Sequence, residues 1–483
     1  MEKENKLVQN FTICNKCKGN GKLSRGISKK AKEHYLNALE KSKNENTKSV
    51  KPIRPIGHLY SCQKCNGTGL MASTKPTKIN KDYPNVAIIG AGIGGVALAV
   101  ACLHRGIPFT LFERDIDFNI RTQGYGLTLQ QASKAIKGFG LYALEEGIVS
   151  TKHIVHSVDG KVIGEWGKRK WIPTNTETPV KQSNIHIARQ SLRLALIEQL
   201  GGYNTIQWGH QLTEYKDGEE ISLQFLVNGQ PKKFKADLIV GADGIRSSVR
   251  KQLIGEKNTP LRYLGCIVIL GICPLNKLTQ VNSPLLDSKT VFQTVNGKER
   301  IYIMPFNSNS IMWQFSFPVL EEEAISLSTL GKKALKKEAF KRAQWHSPVP
   351  QIIEATPESE ISGYPVYDRD LLNAELLKKE NKVTLIGDAA HPMSPFKGQG
   401  ANQALIDALD LARAISKNCH PLSNWKENGI RKSALNEFES EMLKRSAVKV
   451  KDSADAVKFL HSDIVLHEGN EPRGRASKDE SRK

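Results

Sequence analysis

Three glycines and one acid, Gly90, Gly92, Gly95 and Glu113, stand at a spacing that can hold a dinucleotide. The apolar run Val86-Ala87-Ile88-Ile89 ahead of them reads as a buried strand, and Gly94 to His104 reads as a helix. A second strand, Phe109 to Phe112, ends on Glu113. In such a βαβ unit the first glycine permits the tight turn and the second lets a pyrophosphate approach the backbone. The third lets the helix pack closely on the sheet. The helix N-terminus offers N–H groups and a positive dipole end to the phosphates. Glu113 can accept the ribose hydroxyls. A glycine turn alone is a weak signal, and its plain alternative is a strand–helix turn. The flanking strand, helix and acid are what make it specific.

Two later strands run into turns of similar kind. Asp237-Leu238-Ile239-Val240 leads into Gly241-Ala242-Asp243-Gly244, and Lys382 to Ile386 leads into Gly387-Asp388. Asp388, at a strand end, can bond a ribitol hydroxyl. Beyond it, residues 396–402 open a helix reaching about Ile415, and the 398–402 backbone can point N–H groups at a ring oxygen carrying negative charge. Arg189 sits where the strand 186–188 gives way to a helix, within reach of a phosphate or ring system. Its alternative is an ordinary surface arginine. His391 reads as a packed histidine behind Asp388.

A second chemistry lies near the N-terminus. Cys14-x-x-Cys17-x-Gly19-x-Gly21 is answered by Cys62-x-x-Cys65-x-Gly67-x-Gly69. Two such knuckles supply four thiolates to one tetrahedral Zn²⁺, and a unit this small has little core without a staple. The other readings are a redox dithiol pair or unpaired cysteines. Ser28 to Lys43 between the knuckles reads as a helix with an apolar stripe at Ala31, Tyr35, Leu36 and Leu39. The paired pattern resembles the cysteine-rich domain of DnaJ-type chaperones, with two repeats in place of four and no J-domain signature.

The elements needed to position these groups follow from length and pattern. The 483 residues suffice for several domains, with 39% hydrophobic and 25% charged residues. The net charge is +21; residues 1–82 carry 18 Lys and Arg against 6 Asp and Glu, a net +12. With few aromatic residues there, the excess reads as a solvated surface, and nucleic acid binding is not expected. No apolar run has the length of a membrane span, so a cytoplasmic protein is expected. The fold class is α/β: a Rossmann-like nucleotide domain with an inserted β-sheet substrate domain, C-terminal helices and a small N-terminal zinc-knuckle unit. The expected divisions are a zinc-knuckle appendage at 1–75, a linker at 76–83 and nucleotide-domain segments at 84–153, 185–258 and 365–416. Substrate-domain strands fall at 154–184 and 259–364, helices at 417–466, and a disordered tail at 467–483. A helix is expected over Gln131 to Leu144.

In combination and in order, the glycine fingerprint with Glu113, the Asp243-Gly244 turn and Gly387-Asp388 before Gly398-Gln399-Gly400 resemble the class A, para-hydroxybenzoate hydroxylase-like FAD monooxygenases. The likeness covers about residues 84–460, and Tyr367-Asp368-Arg369-Asp370 shares in it. It implies that Gly90, Gly92 and Gly95 hold the FAD pyrophosphate, and Glu113 with its neighbour Arg114 the adenosine ribose. Arg189 and Asp243 contact the cofactor, Asp388 the ribitol, and Gly400, Ala401 and Asn402 the pyrimidine edge of the flavin. It further implies NAD(P)H as a transient co-substrate, O₂, a flavin C4a-hydroperoxide and hydroxylation of a small aromatic or polycyclic phenolic compound. No protein residue is assigned as catalytic, because the flavin carries the chemistry. Tetracycline-inactivating monooxygenases are one variant of this reading. A flavin halogenase is disfavoured, since Lys170-Trp171-Ile172-Pro173 only partly echoes the motif of that group. The reading from another class is an interaction or scaffold protein that meets a protein partner through its zinc knuckles.

Overall fold

The computed structural model describes residues 9–44, 52, 55, 57–120, 125–167, 184–218, 220–378 and 382–472. The Lys170–Pro173 echo and residues 168–183 of the 154–184 strands lie outside the described residues, as do residues 473–483 of the expected tail.

A five-stranded parallel sheet forms the nucleotide half, in the order Ile206–Gln207, Phe109–Phe112, Val86–Ile89, Leu238–Gly241, Val383–Leu385. Every residue of its three strands Val86–Ile89, Leu238–Gly241 and Val383–Leu385 is buried. A parallel strand is covered on both faces, which is why these segments read as unbroken apolar runs instead of alternating ones. The helix Ile93–Leu103 follows the glycine turn and packs along the long helix Gly400–Asn418.

The other half is a seven-stranded sheet in the order Val162–Trp166, Lys152–His156, Thr290–Val295, Arg300–Asn307, Ser310–Pro318, Leu261–Pro274, Ile361–Arg369. The pairing of Thr290–Val295 with Lys152–His156 is parallel. One face carries Trp313, Phe315 and Phe317 into a core closed by the helices Glu321–Thr329, Lys332–Arg342 and Val349–Ala355, the last contributing Ile352. The other face looks back toward the nucleotide half. No helix among the described residues is long and apolar enough to cross a membrane.

Three expectations need correction. The helix expected over Gln131 to Leu144 is replaced by two short 3₁₀ turns, Gln131–Ser133 and Ile136–Phe139. Gly140 ends the second at φ +80°, and a Cβ there would stand 2.5 Å from the Phe11 ring. Periodicity was present, but Gly138 and Gly140 and the close approach of another segment break the helix. The stretch 76–83 is no free linker: the Thr77 hydroxyl donates to Phe11 O at 2.6 Å and Asn80 N donates to Gly106 O at 2.8 Å. The expected tail also begins too early. Gly469 N donates to Ile163 O at 3.0 Å, and Glu165 N donates to the Asn470 side chain at 3.0 Å. Val162–Trp166 is an edge strand, and residues 467–472 satisfy its outward backbone groups.

Candidate active site

The glycine turn is built by contact distances. Gly90 has φ +102°, and a Cβ there would stand 2.7 Å from Ala242 O in the neighbouring strand exit. A Cβ on Gly95 would stand 1.9 Å from Gly90 O, so only glycine lets the helix close on the turn. At Gly92 nothing lies within 4 Å of the Cβ position, and the same holds at Gly244. These two glycines leave open space where a ligand can lie on the backbone.

That space is one end of a cavity of about 1040 Å³. Its walls at this end are Gly92, Ile93, Arg189, Ala242, Gly244, Asp388 and the 398–401 backbone. The helix Ile93–Leu103 and the helix Gly400–Asn418 both start at this wall, so two positive dipole ends meet the same space. Arg189, the first residue of Arg189–Gln199, lies 5.7 Å from the Tyr125 ring centroid. Burial in the wall raises the Asp388 carboxyl above its ordinary value, against the pull of the Arg189 guanidinium.

The remaining site residues of the sequence stand behind this wall. Glu113 is buried and accepts from Ala91 N at 2.8 Å and Asp115 N at 3.1 Å, bracing the glycine turn from behind. Asp243 accepts from Ser248 N at 2.7 Å, while its Oδ1 is buried with no hydrogen-bond partner among the described residues. Arg114 is exposed and off the cavity wall, because it points opposite to Glu113 at the strand end. Asn402 does not face the cavity. Its amide accepts from Gln130 N and Ala132 N and donates to Thr128 O and Gly398 O, spending all its polar capacity on the protein.

Several residues that the sequence did not single out hold the strand tips together. The Arg193 side chain donates to Ala91 O at 2.7 Å. Arg250 donates to Ala389 O and Ala390 O at 2.8 and 2.9 Å, tying the turn after Gly241 to the turn after Asp388. Asp407 receives His391 Nε2 at 2.7 Å, Gly387 N at 2.9 Å and Arg445 Nη2 at 2.6 Å. Burial alone would raise the Asp407 carboxyl, but His391 and Arg445 outweigh it and hold it below the usual range. Asp368 and Arg369 of the Tyr367–Asp370 motif are buried ties: Asp368 pairs with Arg262 at 2.8 Å and Arg369 with Glu256 at 2.8 Å. The ties made by Arg193, Arg250 and Asp407 have no local sequence signal, since each partner is distant in the chain.

The far end of the cavity is walled by the seven-stranded sheet through Leu270, Gln293, Tyr302, Met304, Met312 and Gln314. Arg300 lies among them, buried, with Nε donating to Gln293 Oε1 at 2.7 Å and its guanidinium 4.8 Å from the Tyr302 ring centroid. No carboxylate is paired with it among the described residues, and burial pushes its pKa down to about 10. Arg300 was missed by sequence reading because a single arginine in a strand carries no pattern.

The open backbone at Gly92 and Gly244 and two converging helix N-termini fit an elongated, phosphate-bearing cofactor with a ring at the 398–401 end. Over residues 83–421 the chain matches the family described as FAD binding domain. The chain belongs to that family. Aurachin C monooxygenase/isomerase of Stigmatella aurantiaca is 27% identical over 360 residues, covering 73% of this chain and 86% of that protein. The chloroplastic zeaxanthin epoxidase of Oryza sativa subsp. japonica is 28% identical over 384 residues, 76% of this chain and 54% of that one. The chain thus spans about half the length of that epoxidase. Klebsiella pneumoniae HpxO complexed with FAD and uric acid shares the fold at TM-score 0.63 and 20% identity, over 79% of this chain and 90% of that one. The family member described here is an enzyme with the fold of class A-like FAD monooxygenases.

The cysteines form a separate cluster. All four are buried, and their sulfurs lie within 4.8 Å of one another. Cys14 and Cys62 Sγ are 4.0 Å apart, and Cys17 and Cys65 Sγ 3.7 Å. For Zn–S bonds of about 2.3 Å a tetrahedron has edges of about 3.8 Å. The two knuckles mirror each other: Cys14 N donates to Gly69 O, and Cys62 N to Gly21 O, both at 2.8 Å.

Proposed function

We propose that this enzyme is an NAD(P)H-dependent FAD monooxygenase that hydroxylates a small aromatic or polycyclic phenolic compound. The carrying observation is one continuous cavity, glycine-walled where a dinucleotide would enter and walled by large side chains at the sheet. Bound FAD would supply electron transfer from the nicotinamide and activation of O₂. The protein's own share is binding and exclusion. Gly92 and Gly244 would let phosphates lie on the backbone, and the N–H groups at Gly400 and Ala401 would face a negatively charged ring edge. Asp388 and Arg189 would position the cofactor from the wall. Leu270, Met304 and Met312 would keep water from the reacting end.

Arg300 supports a substrate with an anionic oxygen, such as a phenolate. A buried guanidinium without a carboxylate partner is costly until an anion meets it. We assign one Zn²⁺ to Cys14, Cys17, Cys62 and Cys65, supported by the sulfur spacing. The scaffold reading loses support, because Phe11 and Thr68 of the knuckle unit are buried against the chain's own nucleotide half.

The test is oxidation of NADPH and NADH by the FAD-loaded protein against phenols, anthranilates and tetracyclines. Substrate-stimulated consumption with an oxygen atom recovered in the product is expected. A colourless protein that also fails to take up added FAD would defeat the proposal.

A further inference from the structure

The knuckle unit sits on two buried arginines of the nucleotide half. Arg105, just beyond the helix Ile93–Leu103, donates from Nη2 to Gly19 O at 3.2 Å and from Nη1 to Ala101 O at 3.0 Å. Arg413, on the long helix Gly400–Asn418, donates from Nη2 to Thr68 O at 3.3 Å, and a Cβ on Gly21 would stand 3.0 Å from that nitrogen. Gly19 N and Thr68 N donate to Cys14 O and Cys65 O, and Gly21 N donates to Cys17 Sγ. Both arginines keep a buried Nε–H without a hydrogen-bond partner among the described residues. The acid beside them is Asp410, 3.7 Å from Arg413 and partly exposed, and Lys22 lies within its field. Four neutral thiols leave these two guanidiniums poorly compensated. A Zn²⁺ with four thiolates carries a net charge of about −2, which matches them.

We infer that Arg105 and Arg413 are the counter-charges of a zinc tetrathiolate, and that this metal braces the two helices whose N-termini form the flavin cradle. The brace is distant from the chemistry: along the eleven-residue helix, about 15 Å separate Ile93 from Leu103. Phe11 adds an apolar contact, edge-on to His104 at 5.2 Å between ring centroids. The zinc centre is thus part of the enzyme's frame.

The inference rests on the zinc assignment and not on the identity of the substrate. It is tested on full-length, FAD-loaded protein by zinc content, by the rate of zinc release to a chromogenic chelator, and by the temperature at which flavin fluorescence appears. One zinc per chain is expected. Arg413→Gln should release zinc about tenfold faster or more, the effect usual for a residue supporting metal ligands. Arg413→Lys, which keeps the charge, should stay near the wild-type rate. Stripping zinc from the wild type should lower the flavin-release temperature by several degrees, and added Zn²⁺ should restore it. Equal release by the Gln and Lys variants would overturn the inference, as would a flavin-release temperature unmoved by metal removal. Less than one zinc per chain would overturn it too, while leaving the FAD reading intact. If the protein held no flavin, the zinc-release comparison would still decide the matter.

Discussion

The two ends of the cavity are made in opposite ways. The cofactor end is built from backbone: glycines with no atom near the Cβ position, helix N-termini and strand tips. The sheet end is built from side chains, with Arg300, Gln293, Tyr302 and two methionines setting its shape and charge. Backbone can hold a phosphate or a ring oxygen in any member of a family, because its N–H groups are the same everywhere. Side chains discriminate, because size and charge differ at each position. The first end therefore says that a flavin dinucleotide fits, and the second says what kind of molecule can stand beside it.

Substitutions can break this contrast, and the largest effect belongs at the backbone end. Gly92→Asp places a carboxylate in the open space where the pyrophosphate would lie. A like charge at about 4 Å costs about 4 kcal/mol at an intermediate dielectric, so FAD affinity should fall about a thousandfold. The purified variant should be colourless after gel filtration. A yellow variant would show that the phosphates lie elsewhere.

Next in size is Asp407→Asn, which breaks the buried tie under Gly387 and should cost about 3 kcal/mol in urea unfolding at neutral pH. The folded Asp407 carboxyl lies below its usual range through His391 and Arg445. Its stabilisation is therefore full above about pH 4, the unfolded value, and is lost as pH falls through the depressed folded value. The penalty of the substitution should shrink in acid. A penalty that does not depend on pH would show that packing, not charge, is the main role of Asp407.

Arg300→Gln tests the side-chain end. Loss of a charged hydrogen bond of about 1.5–3 kcal/mol should raise KM for a phenolic substrate about ten- to a hundredfold, with FAD affinity unchanged. An equal loss for FAD would erase the distinction between the two ends. The smallest effect is Arg114→Ala. Arg114 is exposed and away from the wall, so FAD affinity should stay within about twofold, the range of an uncoupled surface change. A tenfold loss would return this residue to the cofactor site.

What the letters carried by themselves is local. The strand Val86–Ile89, the glycine turn, the paired knuckles and the strand tips at Asp243 and Asp388 are short-range patterns, set by φ angles, burial and spacing within a few residues. Folding decided whatever depends on partners far along the chain. It turned Asn402 and Asp243 toward backbone amides, set Glu113 behind the glycine turn and left Arg114 in solvent. It broke an apolar, helix-spaced segment at Gly140 by laying Phe11 across it. It also seated a basic, metal-patterned segment on Arg105 and Arg413. Like charges predict no such contact from sequence, because the acceptors are the backbone carbonyls of Gly19 and Thr68, which only the fold brings to the guanidiniums.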